Sequence, residues 1–575
     1  MTEKNTMMKI TLPINYGSGR VFLRPRHDGW LLMPVVFYLL FILPVFVDNN
    51  AGSGLNMPQN LLAWGIMVIS ILLSAARAVV TGRLQVARFM LPGILAVILM
   101  MLPWLWTSSP LWKQHALPRL AGIAGSLVFI FALCQVHMTH GLRRGILAVV
   151  VCSALIQAAE AMIQAWFPEL ALRLMSFDAP LPYGIFQQRN LLASWLATGY
   201  GVALYLLLNA RTRSAALAWA VSLYPLCAAL TLTSSRTGLL GAVIMTALAA
   251  LADRADWRGR PRAVICRLIL LSSLLATCAA ISQWAMPEGS RTDLTHTLSN
   301  RERVVMLKGA VSMAAEHPLI GSGLGGFEAR FPDVLAQAGL QPRSSSITHP
   351  HNEVLYVLDE GGAVALAGLL LLAGIWLWPA FRWGCCWLLP LLGLPLVVHM
   401  MTEYPLYLSA PHLMLLLLLF RAGLPDTTLR DSRLPAPLRV TVFPVGCLVM
   451  VIALAILGKG FVMQRTLTLA EIDMNAGLIP SLPEASWQSI TQAERLDYDR
   501  HMLAANAPGF IRSPQAMADF TIWGNRWLAV HNDAEVSAAL IFIARRRGDW
   551  SEAERLRARA ARVFIQDDRF SWGGQ

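Results

Sequence analysis

Charged residues are scarce in this chain. Asp, Glu, Lys and Arg make up 14% of its 575 residues, whereas hydrophobic residues make up 56%. Soluble domains carry about 25% charged residues, so the polar surface here is too small to cover a single water-soluble globule. Long apolar runs and the lack of simple repeats also exclude collagen-like, coiled-coil and disordered classes. The composition indicates a polytopic membrane protein.

Cysteine motifs of the metal-binding or disulfide type are missing. The eight cysteines lie in or at the ends of apolar runs, and none of them forms a C-x-x-C pair. This distribution is typical of core packing. The cysteines therefore predict neither a cysteine-ligated zinc site nor a disulfide framework.

About 20 apolar residues cross a bilayer as a helix, and the chain has about thirteen such runs. Proline and glycine blur the ends of three of them, so we expect an all-α polytopic membrane protein with about 12 to 14 spans. The predicted spans are residues 30–47, 60–80, 89–106, 119–137, 145–166, 191–209, 215–232, 237–251, 263–284, 352–379, 385–402, 406–421 and 440–459.

The positive charges alternate between loops. If the N-terminus is cytoplasmic, the inside loops hold most of the Lys and Arg, while the outside loop 48–59 holds none. This is the positive-inside pattern, and it accounts for the net charge of +13 without a nucleic-acid partner. An odd number of spans then places the C-terminal region outside.

The predicted spans and the charge bias of the loops together divide the chain into five parts. Residues 1–29 form a cytoplasmic tail, residues 30–284 hold spans one to nine, and residues 285–351 form a long outside loop. Residues 352–459 hold the last four spans, and residues 460–575 form a small helical domain outside. Helical spacing on both sides of Gly548-Asp549-Trp550 predicts a helix-turn-helix pair in that domain.

Polar side chains gather at the predicted outer ends of the spans, where charge needs an aqueous cavity. The segment F-Q-Q-R-N-L-L contains Gln187, Gln188 and Asn190. Amides can bind sugar hydroxyls, but this segment could also be an ordinary helix start capped by Asn190. Arg236, in the short turn S-S-R-T-G, could bind phosphate or extend to the membrane interface.

The long outside loop contributes further candidates. Arg301 and Arg303 lie near one another in a helical stretch, and G-S-G-L-G-G at 321–326 predicts a tight turn rather than a dinucleotide site, since no strand precedes it. His349, His351 and Glu353 stand where the loop meets the tenth span. A histidine there could accept a proton, with the carboxylate adjusting its pKa; a metal pair, or surface histidines beside an Asn352 cap, are the alternatives.

The last two candidate residues are Glu403 and Tyr404. They lie in the segment H-M-M-T-E-Y-P-L at the outer end of the eleventh span. Arginines, amides, histidines and a tyrosine on one membrane face would suit a substrate with a pyrophosphate head and a lipid tail.

In their order along the chain, these motifs resemble those of the O-antigen ligase/polymerase superfamily of bacterial inner-membrane glycan transferases. They are S-R-T-G, R-x-R before E-H-P-L-I-G-S-G-L-G-G-F, and H-P-H-N-E before E-G-G. The segments F-Q-Q-R-N-L-L-A-S-W and E-Y-P-L resemble the protein (pilin-type) O-oligosaccharyltransferase branch, which is PglL-like. Met306-Leu307 stands where the family often has an aromatic residue.

The resemblance implies a metal-independent glycosyltransferase without a cofactor. Its donor would be an undecaprenyl-pyrophosphate-linked glycan, and its acceptor a Ser or Thr of a periplasmic protein such as a pilin. It would lie in the bacterial inner membrane, with the active site and the C-terminal domain in the periplasm. An O-antigen ligase, an O-antigen polymerase and a lipid-linked sugar transporter remain alternatives.

The resemblance also assigns roles. The essential histidine corresponds to His351, with His349 as the second choice, and the arginines correspond to Arg236 and to either Arg301 or Arg303. Gln187 and Tyr404 would position the glycan or the acceptor. A covalent intermediate on Glu353 or Glu403 is the alternative to direct displacement.

Overall fold

The computed structural model describes residues 28–176, 179–253, 293–342, 346–382 and 387–571. The predicted ninth span at 263–284 and nearly all of the N-terminal tail lie outside these ranges.

The described chain is mostly helical, with almost no sheet. In chain order the helices are α1 (Asp28–Ile42), α2 (Pro58–Thr81), α3 (Met90–Leu105), α4 (Pro110–Cys134), α5 (His140–Trp166), α6 (Pro168–Met175), α7 (Arg189–Leu208), α8 (Arg213–Leu232), α9 (Arg236–Asp253), α10 (Asp293–Glu316), α11 (Phe327–Gln337), α12 (Glu353–Arg382), α13 (Leu389–Met400), α14 (Pro405–Leu408), α15 (Ala410–Gly423), α16 (Leu438–Asn475), α17 (Ala493–Ala505), α18 (Pro514–Leu528), α19 (Ala534–Arg546) and α20 (Trp550–Val563).

Seven of the described helices are long and apolar enough to cross a membrane: α2, α4, α5, α7, α8, α12 and α16. Five shorter apolar helices, α1, α3, α9, α13 and α15, coincide with other predicted spans. The all-α membrane class is confirmed, whereas the count of thirteen stays a prediction.

A small antiparallel sheet joins two loops that were both predicted to be cytoplasmic. Strand β1 (Arg83–Ala87) pairs with β2 (Leu429–Arg433), and Arg83 lies opposite Arg433. The loops after α2 and after α15 therefore meet at one end of the bundle. This agrees with the expectation that both loops lie on the same side of the membrane.

Helix α7 runs through the centre of the bundle and packs against α5, α8, α9 and α13. Trp195 in its second turn is 1% exposed. Before α7, the side chain of Gln164 accepts hydrogen bonds from the backbone N–H groups of Tyr183 and Gly184, at 3.0 and 2.8 Å. The segment that leads into α7 is thereby held against α5.

The glycine-rich segment predicted to form a turn does so, and it packs directly on α12. The N–H of Ser322 donates to the carbonyl of Asp359 at 2.8 Å, and the N–H of Gly323 donates to the carbonyl of Glu360 at 3.0 Å. At Gly321 the φ angle is +69°, and a Cβ there would lie 2.3 Å from the Glu360 carbonyl oxygen. Helix α12 is itself kinked at Gly362, where φ is 62°. Close backbone approach explains why glycine is needed at these positions.

The C-terminal helices form a core of their own, which includes Phe520, Leu540 and Leu556. The predicted helix-turn-helix is α19 and α20, joined through Gly548 at φ 78° and capped by Asp549, whose side chain accepts from the N–H of Glu552 at 3.1 Å. The expected boundary at residue 460 falls inside α16, which is continuous to Asn475.

Gly321→Ala should destabilise the protein more than Gly339→Ala. Both residues have a left-handed backbone, with φ of +69° and +66°, but only the Cβ at 321 would meet other atoms. Each variant carries about 1–2 kcal/mol of backbone strain, and the overpacked site adds about 1–3 kcal/mol. Thermal unfolding in detergent measures this, and equal melting temperatures for the two variants would contradict the docking argument.

Candidate active site

A buried carboxylate, Glu403, gathers side chains from several helices. Gln188 donates to its Oε2 at 2.9 Å and Asn190 to its Oε1 at 2.5 Å, both from the start of α7. Arg303 of α10 donates to Oε1 at 3.0 Å. His399 of α13 lies 3.4 Å from Oε2 through its Nε2. We call these five residues the Glu403 cluster.

The start of α9 is tied to this cluster on both sides of Arg236. Ser235 donates from Oγ to the Oδ1 of Asn190 at 2.7 Å. The hydroxyls of Thr237 and Thr402 are 3.1 Å apart. Arg236, the first residue of α9, is exposed between these two anchored neighbours. A helix N-terminus carries positive partial charge, so an anion at this position would be favoured by both the backbone and the guanidinium.

His351 has an unusual backbone that is stabilised by His349. Its φ is +58°, which is uncommon for a residue with a Cβ. Its N–H donates to the Nδ1 of His349 at 2.9 Å. The Nδ1 of His349 is therefore an acceptor, which is incompatible with a metal pair through that atom and places any proton of a neutral ring on Nε2.

His349 is enclosed by aromatic rings. Its ring centroid lies 4.3 Å from that of Tyr356, 4.7 Å from Tyr404 and 5.6 Å from Tyr407. Its Nε2 is 3.5 Å from Oε2 of Glu353, whose Oε1 accepts from the hydroxyl of Tyr407 at 2.8 Å. These contacts make His349 and Glu353 supports for the loop, since both are almost fully buried.

The side chain of His351 is less buried than that of His349. Its ring packs edge-on against Tyr404 at 5.3 Å and hydrogen-bonds the backbone of Thr402. Its Nδ1 is enclosed and has no hydrogen-bond partner among the described residues. A reacting hydroxyl could supply the missing contact.

Burial and neighbouring charges shift the pKa values of His351 and Glu403. Burial lowers the pKa of His351, Glu403 acts to raise it, and His349 and Arg303 act to lower it, leaving the pKa below its ordinary value. Burial would raise the pKa of Glu403, but the hydrogen bond and charge of His399, with the charges of His351 and Arg303, lower it. The pocket thus contains a carboxylate beside a neutral imidazole at neutral pH.

The structure separates Arg303 from Arg301, which the sequence left open. Arg303 reaches Glu403, whereas Arg301 is exposed. Residues two apart on a helix point in different directions, so only one of the two can face the cluster.

The three amide side chains near the start of α7 also differ in their contacts. Gln188 and Asn190 bind Glu403, while Gln187 precedes them with a left-handed φ of 56°. Asn190 does not cap α7, because its side chain is used by Glu403 and Ser235. Asn352 does cap α12, since its Oδ1 accepts from the N–H of Leu355 at 3.1 Å.

His399 and Tyr407 belong to the site and were not among the predicted residues. His399 lies four residues before Glu403, and the N–H of Glu403 donates to the His399 carbonyl at 2.9 Å, so the turn after α13 keeps the two side chains on one side. Its Nδ1 is 2.9 Å from the hydroxyl of Ser194 on α7. The H-x-x-x-E spacing was a usable signal, whereas no sequence pattern connects Tyr407 with Glu353.

Comparison with protein families covers most of this site. Residues 182–207 match the protein glycosylation ligase family, and residues 221–370 match the O-antigen ligase family. Residues 387–572 match the C-terminal part of the virulence factor membrane-bound polymerases. The chain belongs to the O-antigen ligase/PglL-like superfamily. Comparison with individual curated proteins gave no significant match.

Each of the three matched segments contains part of the candidate site. The first contains Gln188 and Asn190, the second contains Arg303 and His351, and the third contains Glu403. The protein is therefore a membrane enzyme of the ligase or polymerase type that transfers glycosyl groups, and its polar cluster lies where the three matched segments meet.

Glu403→Ala should be strongly destabilising, because it leaves an arginine and two amides without their buried acceptor. Loss of one partner of a buried ion pair costs about 3–5 kcal/mol. Glu552→Gln removes an exposed ion pair with Arg555 on α20 and should change stability by less than about 1 kcal/mol. Melting temperatures in detergent test this, and similar values for the two variants would be inconsistent with a central role of Glu403.

Proposed function

We propose that this enzyme transfers an oligosaccharide from undecaprenyl pyrophosphate to Ser or Thr hydroxyls of periplasmic proteins such as pilins. The observation that carries the proposal is the enclosed Nδ1 of His351, which has no hydrogen-bond partner in the part of the chain that the structure describes and lies beside the ion pair of Arg303 and Glu403. The match of residues 182–207 to protein glycosylation ligases supports a protein as the acceptor.

In the proposed reaction His351 is the general base. Its Nδ1 takes the proton of the acceptor hydroxyl as the hydroxyl oxygen bonds to C1 of the first sugar. The bond between C1 and the phosphate oxygen breaks, and its electron pair leaves with the pyrophosphate. General-base catalysis of this kind contributes about 10²–10⁴-fold. The imidazolium that forms is then stabilised by the nearby charge of Glu403.

Arg303 and Arg236 would stabilise the charge that develops on the leaving pyrophosphate. Glu403 holds Arg303 in place, and Arg236 stands at the N-terminus of α9. Positioned charges of this kind require no reorganisation during the reaction, and they are commonly the largest contribution to catalysis. The step needs no metal ion or cofactor, because the guanidinium groups neutralise the phosphate oxygens.

The hydrogen bonds of Glu403 favour direct displacement over a covalent intermediate. Each of its carboxylate oxygens already has two polar neighbours, which weakens it as a nucleophile. Glu353 is buried and bonded to Tyr407. Attack by the acceptor from the face opposite the pyrophosphate would invert the anomeric centre. Gln187, Gln188, Asn190 and Tyr404 would orient the glycan and the acceptor.

In this proposal the enzyme lies in the bacterial inner membrane with its N-terminus in the cytoplasm. The site and the C-terminal domain then face the periplasm, and the lipid tail of the donor lies among the apolar helices. Location of the polar cluster at helix ends favours a transferase over a transporter, whose substrate groups bind near the bilayer midplane.

A polymerase is the second candidate, because residues 387–572 match a polymerase family. Its acceptor would be another lipid-linked glycan, and the same base and arginines would serve it. An O-antigen ligase, with lipid A-core as acceptor, would use the same site as well.

The deciding experiment uses purified enzyme, a lipid-linked oligosaccharide, and a pilin-like protein or lipid A-core as acceptor. We expect glycan on the protein, detected by intact mass, with wild type and with His317→Ala, an exposed control in the same loop. His351→Ala should lose at least about 100-fold of the rate. Transfer to lipid A-core alone would establish the ligase, and longer glycans on the lipid would establish the polymerase.

Arg303→Lys and Arg301→Lys form a matched pair on one helix. A point charge cannot replace the guanidinium fork, so Arg303→Lys should lose at least about tenfold in kcat. Arg301→Lys should retain nearly wild-type turnover, because its side chain is exposed. Equal losses in the two variants would be inconsistent with the assignment.

The pH profile of kcat/KM tests His351 independently. The groups that face it are Glu403, His349 and Arg303, and the pKa of His351 lies below its ordinary value. A base is inactive when protonated, so activity should be full at neutral pH and fall as the pH drops through that lowered pKa. The acid limb should therefore lie below pH of about 6.5. An acid limb well above that pH would exclude His351 as the base.

A further inference from the structure

A second cluster of ligating side chains lies away from the Glu403 cluster, where the C-terminal domain meets the rest of the chain. It contains His115 from the start of α4, Glu494 from the start of α17, and His531 after α18. The Nε2 of His531 is 2.7 Å from Oε1 of Glu494, and the Nδ1 of His115 is 3.3 Å from the same oxygen. The residues are far apart in sequence and meet only in the fold.

The separation of His115 and Glu494 suits a tetrahedral metal ion, whereas His531 and Glu494, now at a hydrogen-bond distance, would move slightly apart to bind one. Zinc binds histidine nitrogen and carboxylate oxygen at about 2.0–2.2 Å, so neighbouring ligand atoms in a tetrahedron lie about 3.3 Å apart. The three ligand atoms all lie within 4.8 Å of one another. Two imidazoles and one carboxylate favour zinc over magnesium or calcium, which prefer oxygen ligands.

A fourth residue supports one of the histidines. Oε2 of Glu328 lies 3.2 Å from the Nδ1 of His531, on the side of the ring opposite Glu494. The backbone N–H of Asn532 donates to Oε1 of Glu328 at 2.8 Å, and its side-chain amide donates to the backbone carbonyl of Glu328 at 2.6 Å. A carboxylate on the second nitrogen of a metal-binding histidine fixes the orientation of its ring and increases its basicity. The arrangement therefore contains an oriented ligand as well as the ligands themselves.

We propose that His115, Glu494 and His531 bind a zinc ion, with water in the fourth position and Glu328 orienting His531. The ion would connect helix α4, the C-terminal domain and, through Glu328, the long loop that carries Arg303 and His351. The same boundary is already held by a hydrogen bond from Nε1 of Trp112 to the carbonyl of Ala529 at 2.8 Å. The role of the metal is to hold these parts together, and it takes no part in glycosyl transfer.

A proton competes with the metal ion for the Nε2 of His531. Burial would lower the pKa of this ring, but Glu328 and Glu494 raise it to about 9. A metal ion must displace that proton, so binding weakens as the pH falls. The assay is therefore made at pH of about 8, which is close enough to that pKa to reduce the cost of displacing the proton while zinc hydroxide formation is limited.

The test uses full-length protein in detergent, with any affinity tag removed and metal stripped by a chelator. Zinc is added, unbound ion is removed by gel filtration, and bound zinc is measured by mass spectrometry. Wild type should retain one zinc per chain, and His115→Ala and His531→Ala should lose it. His501→Ala is the control, because His501 belongs to the same domain and lies 3.5 Å from Asp497.

Two further measurements separate a site from a general loss of folding. Cobalt in place of zinc should give the absorption bands of a tetrahedral N/O site in wild type and not in His115→Ala, whose side chain lies at the rim of the cluster. Glu328→Gln should keep the ligands and weaken zinc binding about 10–100-fold. Equal zinc content in wild type and His115→Ala, or none in wild type, would overturn the proposal.

Discussion

The buried carboxylate of Glu403 is the constraint on which the rest of the site depends. A charge this far from water is costly unless every oxygen is paired, so α7, α10 and α13 must each deliver a donor to it. Gln188, Arg303 and His399 come from segments far apart in the chain. Their common acceptor aligns the ends of three helices, and the mutual position of the site residues follows from that alignment.

The loop that carries His351 is ordered by a different set of contacts. Glycines allow its first half to lie on the kinked backbone of α12, where the carboxylate of Glu360 accepts from the N–H of Gly325 at 3.0 Å. Arg119 of α4 pairs with the same carboxylate. Aromatic rings enclose His349 in the second half, and His349 in turn holds the left-handed backbone of His351. His351 is thus held by its backbone contact to His349 and by packing against Tyr404.

These contacts give His349 and His351 different roles. Two histidines two residues apart could be a metal pair or two alternative bases. Because Nδ1 of His349 accepts from the His351 backbone and its Nε2 faces Glu353 at 3.5 Å, His349 acts on the loop, whereas Nδ1 of His351 has no hydrogen-bond partner among the described residues. The same reasoning applies to Arg301 and Arg303 of α10. A helix turns by about 100° per residue, so two residues that are two positions apart point in different directions, and only one of them can face Glu403.

The sequence by itself determined the class of the protein, because hydropathy sets which segments can cross a membrane, and it located the polar residues at one set of helix ends. It also predicted the glycine turn and the family, whose motifs lie in continuous stretches. Only the tertiary structure showed that Arg303 rather than Arg301 contacts Glu403, that His399 lies beside the same carboxylate, and that His115 lies near Glu494 and His531. Those positions depend on the rotation of each helix and on contacts between distant segments. Such contacts leave no periodicity in the chain, because they are set by how the whole bundle packs.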